Sequence, residues 1–332
     1  MQLNQHARFS IAPMMDWTDR HCRFFHRQFS ECALLYTEMI TAPALVYGQA
    51  FHLLEFSPDE HPVALQLGGS NPEELARAAR LGEEAGFDEV NLNVGCPSDR
   101  VQSGAFGAVL MKDPGLVAEC CSAMIDAVDI EVTVKCRIGV DDQKPSEALP
   151  EFVSRVSRAG VRRMTVHARK AWLKGLSPKQ NRSMPPLDYQ LVLNVKNMFP
   201  DLHMSANGGV GSIEDAKKML EMGFDGVMLG RAAYQRPVDV LANADEIVFD
   251  RPNSAKRPEQ VALAMLPYIR EHIESGGKLH QITRHMLGLF SGRPGAKIWR
   301  RILSECANTP GADVNLIKYA LSKIEMSRME VA

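Results

Sequence analysis

The sequence predicts an α/β fold, a TIM (β/α)8 barrel followed by a C-terminal small all-helical domain, and three observations support this. Three segments repeat one junction, in which a glycine ends a helix and a β-rich run follows: AGFDEVNL from Ala85, AGVRRMTV from Ala159 and MGFDGVML from Met222. Eight β-rich runs alternate with amphipathic segments up to Leu229, which indicates stacked βα units and a parallel sheet. From Arg257 onward, apolar residues recur at helical spacing without strand signals.

These runs give a specific set of predicted elements. We place the strands near Phe9 to Ala12, Ala33 to Thr37, Pro62 to Leu67, Glu89 to Asn93, Glu131 to Lys135, Arg162 to Val166, Asp201 to Ser205 and Asp225 to Leu229. We expect helices at Pro72 to Ala85, Pro114 to Ala127, Ser146 to Ala159 and Ser212 to Met222. Eight βα units fit a TIM barrel; a doubly wound open sheet, the alternative, lacks a GxGxxG after its first strand. We assign residues 1–248 to the barrel and 249–332 to the helical domain, with a linker near Asp250 to Pro258.

Composition excludes several classes of protein. At 332 residues and 45% apolar content, the chain can bury a full core. The first residues, QLNQHARFS after Met1, are polar, and no run is apolar and long enough to cross a bilayer. The seven cysteines are scattered, with no CxxC pair, which argues against a disulfide framework and a zinc site. We therefore predict a cytoplasmic protein without a metal or membrane partner, and we expect a monomer.

Charge is unevenly distributed along the chain. The net charge is −2, but residues 251–332 carry 13 Lys and Arg against 7 Asp and Glu, a net charge of +6 on an acidic body. Within this tail, Lys297, Arg300 and Arg301 surround Trp299. A polyanionic partner is one interpretation and a solvated helical face is the other. We expect Trp299 to lie partly in the core and the three cations to face phosphates.

The stretch EVNLNVGCPSDR, from Glu89 to Arg100, combines a strand with a sharp turn. Apolar residues alternate with Asn91 and Asn93, as in a strand, and Gly95 and Pro97 then stop it around Cys96. The thiol is therefore predicted at a strand end beside two carboxamides. A buried free cysteine is the alternative.

In a barrel, all strands end at one face, where catalysis in this fold occurs. The residues predicted there are Ala12, Pro13, Met14, Gln66, Asn93, Cys96, Lys135, His167, Asn207, Gly208, Gly209, Gly230 and Arg231. The glycines after strands seven and eight match the usual phosphate site of such barrels, and an arginine adds a charge-assisted contact. Carboxamide, ammonium and imidazole groups around a phosphate, with an apolar floor, suit flavin mononucleotide, FMN.

The connection after strand six is long and basic. It reads ARKAWLKGLSPKQNRSMPP from Ala168 to Pro186 and includes five cations, one tryptophan and no acid. Cations interleaved with an aromatic ring fit a nucleic-acid backbone and a stacked base, whereas a solubilising loop is the alternative.

The sequence resembles the flavin-dependent tRNA-dihydrouridine synthases over essentially the whole chain. The resemblance lies in the runs APMMDWTDR from Ala12, NVGCPS around Cys96, VKCRIG around Lys135, HARKAWLKGLSPKQNR from His167, NGGV and LGRAAY. The ARKAWLKGLSPKQNR segment is most similar to the bacterial A-type subgroup, which acts on uridines 20 and 20a of the tRNA D-loop.

The resemblance implies roles for particular residues. It implies that the strand-end residues named above contact FMN, except Asn93 and Cys96. Cys96 is then the proton donor, and Asn93 contacts the uracil. NADPH is the implied reductant. The tRNA contacts expected from the loop and tail are Arg169, Lys170, Lys179, Gln180, Arg182, Ser183, Arg293, Lys297, Arg300 and Arg301.

Two other functions stay open at this point. A flavin barrel acting on a free pyrimidine or an enone explains the barrel and Cys96 but gives the basic tail no role. A non-catalytic RNA-binding protein explains the tail but not the complete set of strand-end residues.

Overall fold

The computed structural model describes residues 3–98, 106–252 and 256–329. Eight parallel strands form one closed barrel in sequence order, and β1 pairs with both β2 and β8. The strands are β1 Phe9–Ile11, β2 Leu34–Thr41, β3 Val63–Gly68, β4 Glu89–Val94, β5 Glu131–Arg137, β6 Arg163–His167, β7 His203–Asn207 and β8 Gly226–Leu229. The predicted TIM barrel is confirmed, with every predicted strand present.

Two strands differ from their predicted bounds for a physical reason. β2 continues four residues beyond the predicted end at Thr37, because the register with β3 shifts between Tyr36 and Met39 and this bulge interrupts the alternation of side chains. β7 lies two residues later than predicted, because Asn207 is a strand residue whose side chain is buried. In both strands, polar residues that suggested a strand end lie inside the sheet.

Helices connect the strands and form the C-terminal region. Residues Asn71, Asp113 and Ser212 cap three of the predicted helices by accepting a hydrogen bond from a backbone N–H of the first turn. None of the described helices is both long and apolar enough to span a membrane. The α-helices are Leu3–His6, Arg20–Arg27, Ala42–Val46, Pro72–Glu84, Pro114–Ile125, Pro145–Arg158, Tyr189–Met198, Ile213–Glu221, Arg231–Gln235, Pro237–Leu241, Ala244–Phe249, Pro258–Ala264, Leu266–Glu274, Leu279–Met286, Ala296–Cys306 and Asn315–Met329.

The glycines of the three repeated junctions end their helices as predicted. Gly86, Gly160 and Gly223 have φ values of 96°, 105° and 105°, in the left-handed region that residues with a side chain rarely adopt. The chain can therefore turn directly from each helix into the next strand.

The C-terminal helices pack on the β1–β8 side of the barrel. One apolar cluster includes Phe9 of β1, Val227 of β8 and Trp299 of the tail, so the helical region and the barrel share a core. Asp19, the N-cap of helix Arg20–Arg27, also binds Arg284 of the tail at 2.5 Å. The predicted linker includes residues 253–255, which lie outside the described residues, and the division at residue 248 stays a prediction.

A buried ion pair lies inside the barrel. The side chains of Arg163 and Glu89 are 2% and 0% exposed, and Arg163 Nη2 lies 2.8 Å from carboxylate oxygens of both Glu89 and Glu131. Glu89 also accepts hydrogen bonds from the hydroxyls of Tyr36, at 2.8 Å, and Thr133. Side chains from four strands, β2, β4, β5 and β6, thus meet around one buried ion pair.

Replacing Arg163 by methionine should strongly destabilise the barrel. The substitution leaves the Glu89 carboxylate buried without its cation, which typically costs about 3–5 kcal/mol. Urea denaturation followed by circular dichroism measures the free energy of unfolding. The matched control is Lys144→Met, which removes an exposed pair with Glu147 and should cost no more than about 1 kcal/mol. Equal destabilisation in the two variants would contradict the role assigned to the buried pair.

Candidate active site

Asn93 organises the turn that carries Cys96. Its side-chain oxygen accepts hydrogen bonds from the backbone N–H groups of Gly95, at 3.1 Å, and Cys96, at 3.0 Å. The Cys96 thiol is half-buried and donates to the Ser98 hydroxyl at 3.5 Å. The thiol thus lies at the end of β4, as predicted. Asp99 and Arg100, which complete the stretch singled out in the sequence, lie outside the described residues.

A chain of side-chain hydrogen bonds links this turn to the barrel interior. Asn93 donates to Gln66 at 2.7 Å, Gln66 donates to Asn91 at 2.8 Å, and Asn91 donates to Thr133 at 2.8 Å. Thr133 in turn donates to Glu89. Gln66 keeps one amide hydrogen and one lone pair for another partner, so its predicted cofactor contact stays a prediction.

Lys135 extends from β5 toward the end of β7. Its ammonium donates to the side-chain oxygen of Asn207 at 3.0 Å, and Asn207 donates to the carbonyl of Met228 at 2.8 Å. Burial, followed by the positive charge of Arg137, lowers the pKa of Lys135 to about 8. The amine therefore titrates close to physiological pH, which is typical of functional sites.

His167 is a neutral imidazole among cations. Its pKa is far below the ordinary value, because burial disfavours the charged form and Arg137, Lys135, Arg169 and Arg231 repel a further positive charge. Its Nε2 atom is buried and has no hydrogen-bond partner among the described residues. A buried polar atom without a partner is costly, so this atom marks a place for a ligand group.

Gly208 and Gly209 leave space beside His167. Their φ values are 103° and 76°. A Cβ atom on Gly208 would lie 2.5 Å from His167 Cδ2, and one on Gly209 would lie 2.5 Å from Leu187 Cδ1. Only glycine fits at either position, because the His167 ring and the Leu187 side chain occupy the space that a Cβ atom would need.

The ends of β1 and β8 lie side by side. Gly230 has Ala12 and Met14 as its neighbours, since a Cβ atom there would lie 3.7 Å from Ala12 Cβ and from Met14 Sδ. Pro13 and Met14 are half-buried, and Arg231 is exposed at the start of the following helix. The structure thus brings the predicted apolar floor next to the predicted cation.

Two residues that the sequence did not single out hold the loop after β6. Arg137 donates to the carbonyl oxygens of Gly95, at 3.1 Å, and Asn181, at 2.9 Å. The Asn181 side chain exchanges hydrogen bonds with the backbone of Trp172, both at 2.8 Å. Arg137 lies two residues after Lys135, so strand periodicity could have placed it on the same face; nothing in the sequence distinguishes Asn181. Arg137 ties the loop to the Cys96 turn.

The predicted RNA-contacting side chains of this loop fall into two groups. Lys179 and Arg182 are exposed, and the Lys170 ammonium lies 4.8 Å from the ring centroid of Trp172, which is 39% exposed. Arg169 instead donates to the carbonyl of Pro185. The side chains of Gln180 and Ser183 make hydrogen bonds within the loop.

The tail presents its cations on one side of a buried tryptophan. Trp299 is fully buried and donates to the carbonyl of Met286 at 2.8 Å, so it is a core residue. Lys297, Arg300 and Arg301 are exposed on the same helix. Arg293 differs from them, because it lies 2.9 Å from the carboxylate of Asp239.

Comparisons with known proteins agree with this architecture. The sequence profile of the family described as "Dihydrouridine synthase (Dus)" matches residues 10–325. The chain is 53% identical over 326 residues to a tRNA-dihydrouridine(20/20a) synthase from Vibrio cholerae, covering 98% of this chain and 99% of that protein. It is 55% identical over 323 residues to the protein of the same name from Escherichia coli, covering 97% and 93%.

Among solved structures, an old yellow enzyme homologue from Zymomonas mobilis has a TM-score of 0.53 at 13% identity, covering 76% of this chain and 92% of that chain, which shows a shared fold. The profile match over nearly the whole sequence and the relatives at more than half identity lead to one conclusion: the chain belongs to the dihydrouridine synthase family.

Proposed function

We propose that the protein reduces uridine to 5,6-dihydrouridine in the D-loop of tRNA, at positions 20 and 20a, using FMN as cofactor and NADPH as reductant. The activity for which the relatives are named supports the reaction and the positions. The observation that carries the proposal is the arrangement at the barrel mouth, where a half-buried thiol, a neutral histidine with an unpartnered nitrogen and several cations converge.

The residues of the mouth fit FMN. The unpartnered Nε2 of His167 is available to a polar group of the ligand, and Gly208 and Gly209 follow β7 beside it. Arg231 can bind its phosphate, and Lys135 can stabilise negative charge on the ring. When bound and reduced, FMN supplies the hydride that uracil carbon-6 accepts. The cofactor contacts proposed are Ala12, Pro13, Met14, Gln66, Lys135, His167, Asn207, Gly208, Gly209, Gly230 and Arg231.

Cys96 supplies the proton. Hydride addition at carbon-6 of uracil leaves negative charge on carbon-5 and the conjugated oxygen, so an acid must protonate carbon-5. A thiol is a weak acid whose S–H proton can be transferred to carbon-5. The Asn93 oxygen orients the Cys96 turn, and Asn93 is the uracil contact in this proposal.

The RNA must deliver its base to the mouth. A uridine in folded RNA has to leave its stack, which costs a few kcal/mol. Exposed cations of the loop after β6 and of residues 249–332 would offset that cost by binding phosphates. In this proposal, residues 1–248 perform the chemistry and the C-terminal helices bind tRNA.

Replacing Cys96 by alanine should separate reduction of the flavin from reduction of the substrate. We expect the variant to be yellow and to be reduced by NADPH at the normal rate, yet to form dihydrouridine in tRNA more slowly by orders of magnitude. Flavin absorbance and dihydrouridine assays measure the two steps. The control is Cys306→Ala, another half-buried thiol. Normal turnover without Cys96 would assign the acid to another group, and equal activity on free uridine would favour a small-molecule substrate.

The charge of Lys135 should give the flavin step a pH dependence. A group with a pKa of about 8 is protonated below that pH and loses its charge as the pH rises through it. We therefore expect reduction of the flavin by NADPH to slow above about pH 8. The rate is measured in Cys96→Ala so that the thiol does not contribute. Lys135→Arg in the same background should keep its charge and extend the plateau to higher pH. An identical falling limb in both proteins would contradict this role.

Two tail arginines should contribute to the salt dependence of tRNA binding. Removing one phosphate contact reduces the slope of log Kd against log salt by about 0.7–0.9, so Arg300→Ala with Arg301→Ala should weaken binding and flatten the slope. Filter binding over a salt series gives both quantities. The matched control is Lys217→Ala with Lys218→Ala, two cations on helix Ile213–Glu221. An unchanged slope in the arginine variant would remove this surface from the RNA interface.

A further inference from the structure

A cavity of about 500 Å³ lies beside the site described above, between the end of β2, the chain after β1 and the tail helix Leu279–Met286. The proposed cofactor contacts and Cys96 are not among its lining residues. Its volume lies in the range of small-molecule sites. The residues that matter for its chemistry are Met15, Glu38, His52, Leu53, His280 and Arg284.

A bulge in β2 places Glu38 at this cavity. Tyr36 pairs with Ala64 and Met39 with Gln66, so β2 has one residue more than β3 across this interval. The bulge interrupts the backbone hydrogen bonds between β2 and β3. The backbone N–H of Gln66 donates instead to the hydroxyl of Thr37, at 3.0 Å. Bulges are frequent next to functional sites, where they redirect a side chain.

The chain after β1 adapts to the same carboxylate. Asp16 has a φ of 64°, in the left-handed region that is uncommon for residues other than glycine. Burial raises the pKa of the Glu38 carboxyl, and the neighbouring backbone N–H of Asp16 acts in the opposite direction. Lone pairs of the carboxylate remain for a further donor.

Glu38 differs from the other acids of the cavity in having no direct ion pair among the described residues, although the charge of Arg284 acts on it. Asp19 lies 2.5 Å from Arg284, and Glu55 lies 2.6 Å from Arg20. Glu38 makes no ion pair among the described residues, and burial, followed by repulsion from Asp19, raises its pKa. A half-buried carboxylate without a direct ion pair is an acceptor available to a neutral donor.

The walls and rim of the cavity suit a nucleotide. Met15 and Leu53 are 52% and 42% exposed, and His52 and His280 add planar rings, so a flat base would find apolar and aromatic faces. Arg284 at the rim, with its side chain 45% exposed, can contact a phosphate. Apolar walls, one carboxylate without a direct ion pair and a cation at the rim are the parts of a base-binding slot.

The cavity and the Cys96 turn lie at the ends of strands that are two apart in the barrel. Thr37 and Met39 line the cavity from β2, while Asn93 and Cys96 belong to the end of β4. Neighbouring strands are about 4.8 Å apart, so β2 and β4 are about 10 Å apart. A nucleotide near the reacting uridine in the same RNA strand can reach the cavity.

We propose that this cavity binds a guanine base of the RNA near the reacting uridine, with the Glu38 carboxylate accepting hydrogen bonds from N1–H and the exocyclic amine of the guanine. Guanine is the one standard base with two adjacent donors on its Watson–Crick edge, which matches a carboxylate, and proteins read single-stranded RNA on that edge. The inference rests on the proposed function, because it assumes that RNA is the substrate.

The test uses unmodified tRNA transcripts in which each guanosine of the D-loop is replaced singly by inosine, which lacks the exocyclic amine. One replacement should lower kcat/KM of the wild-type protein about tenfold, the scale of one good base contact. Glu38→Gln keeps the shape and an oxygen for the Asp16 N–H. It should lower kcat/KM on the unchanged transcript by a similar factor and make the protein insensitive to that inosine.

Three controls separate the possible failures. Glu84→Gln, an exposed glutamate on helix Pro72–Glu84, should retain the wild-type inosine response. Reduction of the bound flavin by NADPH should be normal in Glu38→Gln; a raised KM for NADPH would instead assign the cavity to the reductant and overturn the proposal. If the wild-type protein forms dihydrouridine and no inosine replacement changes kcat/KM, the guanine site is wrong while the proposed function stands. If it forms none, the proposed function fails.

Discussion

The carboxylate of Glu89 is the point on which the barrel interior depends. It is fully buried, and the cation of Arg163 compensates its charge at 2.8 Å. Thr133 connects it to Asn91, and the chain of carboxamides then continues to Asn93, whose oxygen fixes the backbone of the Cys96 turn. A buried polar network is stable only when its members are satisfied. The turn that carries the half-buried thiol is therefore linked by this network to an ion pair deep in the barrel.

Around that thiol, the electrostatics of the mouth favour anions. Lys135, Arg137, Arg169 and Arg231 all disfavour a charge on His167, which is kept neutral by burial and by their repulsion. Negative groups, whether a cofactor phosphate, an RNA backbone or charge on a reacting ring, are stabilised in such a field. Arg137 also has a structural role, because its hydrogen bonds to Gly95 and Asn181 couple the turn to the basic loop.

The C-terminal helices pack against the barrel and share an apolar core with it. Trp299 lies in an apolar cluster with residues of β1 and β8. Asp19 caps a helix of the barrel and binds Arg284 of the tail. The RNA-binding surface proposed on the tail is therefore held in a fixed position relative to the mouth, and the cavity between the two regions has walls from both.

Local patterns in the sequence predict the strands, the helices and the residues at the strand ends. Glycines at three junctions, caps such as Ser212 and period-two alternation are local signals, and local signals report strands, helices and strand ends directly. Because parallel strands of a barrel end at one face, Cys96, Lys135 and His167 could be grouped from strand ends alone. Other features depend on contacts between residues that are distant in the chain and become visible only in the folded structure. The bulge that carries Glu38, the buried position of Trp299 and the bridging roles of Arg137 and Asn181 arise from partners that no local pattern specifies.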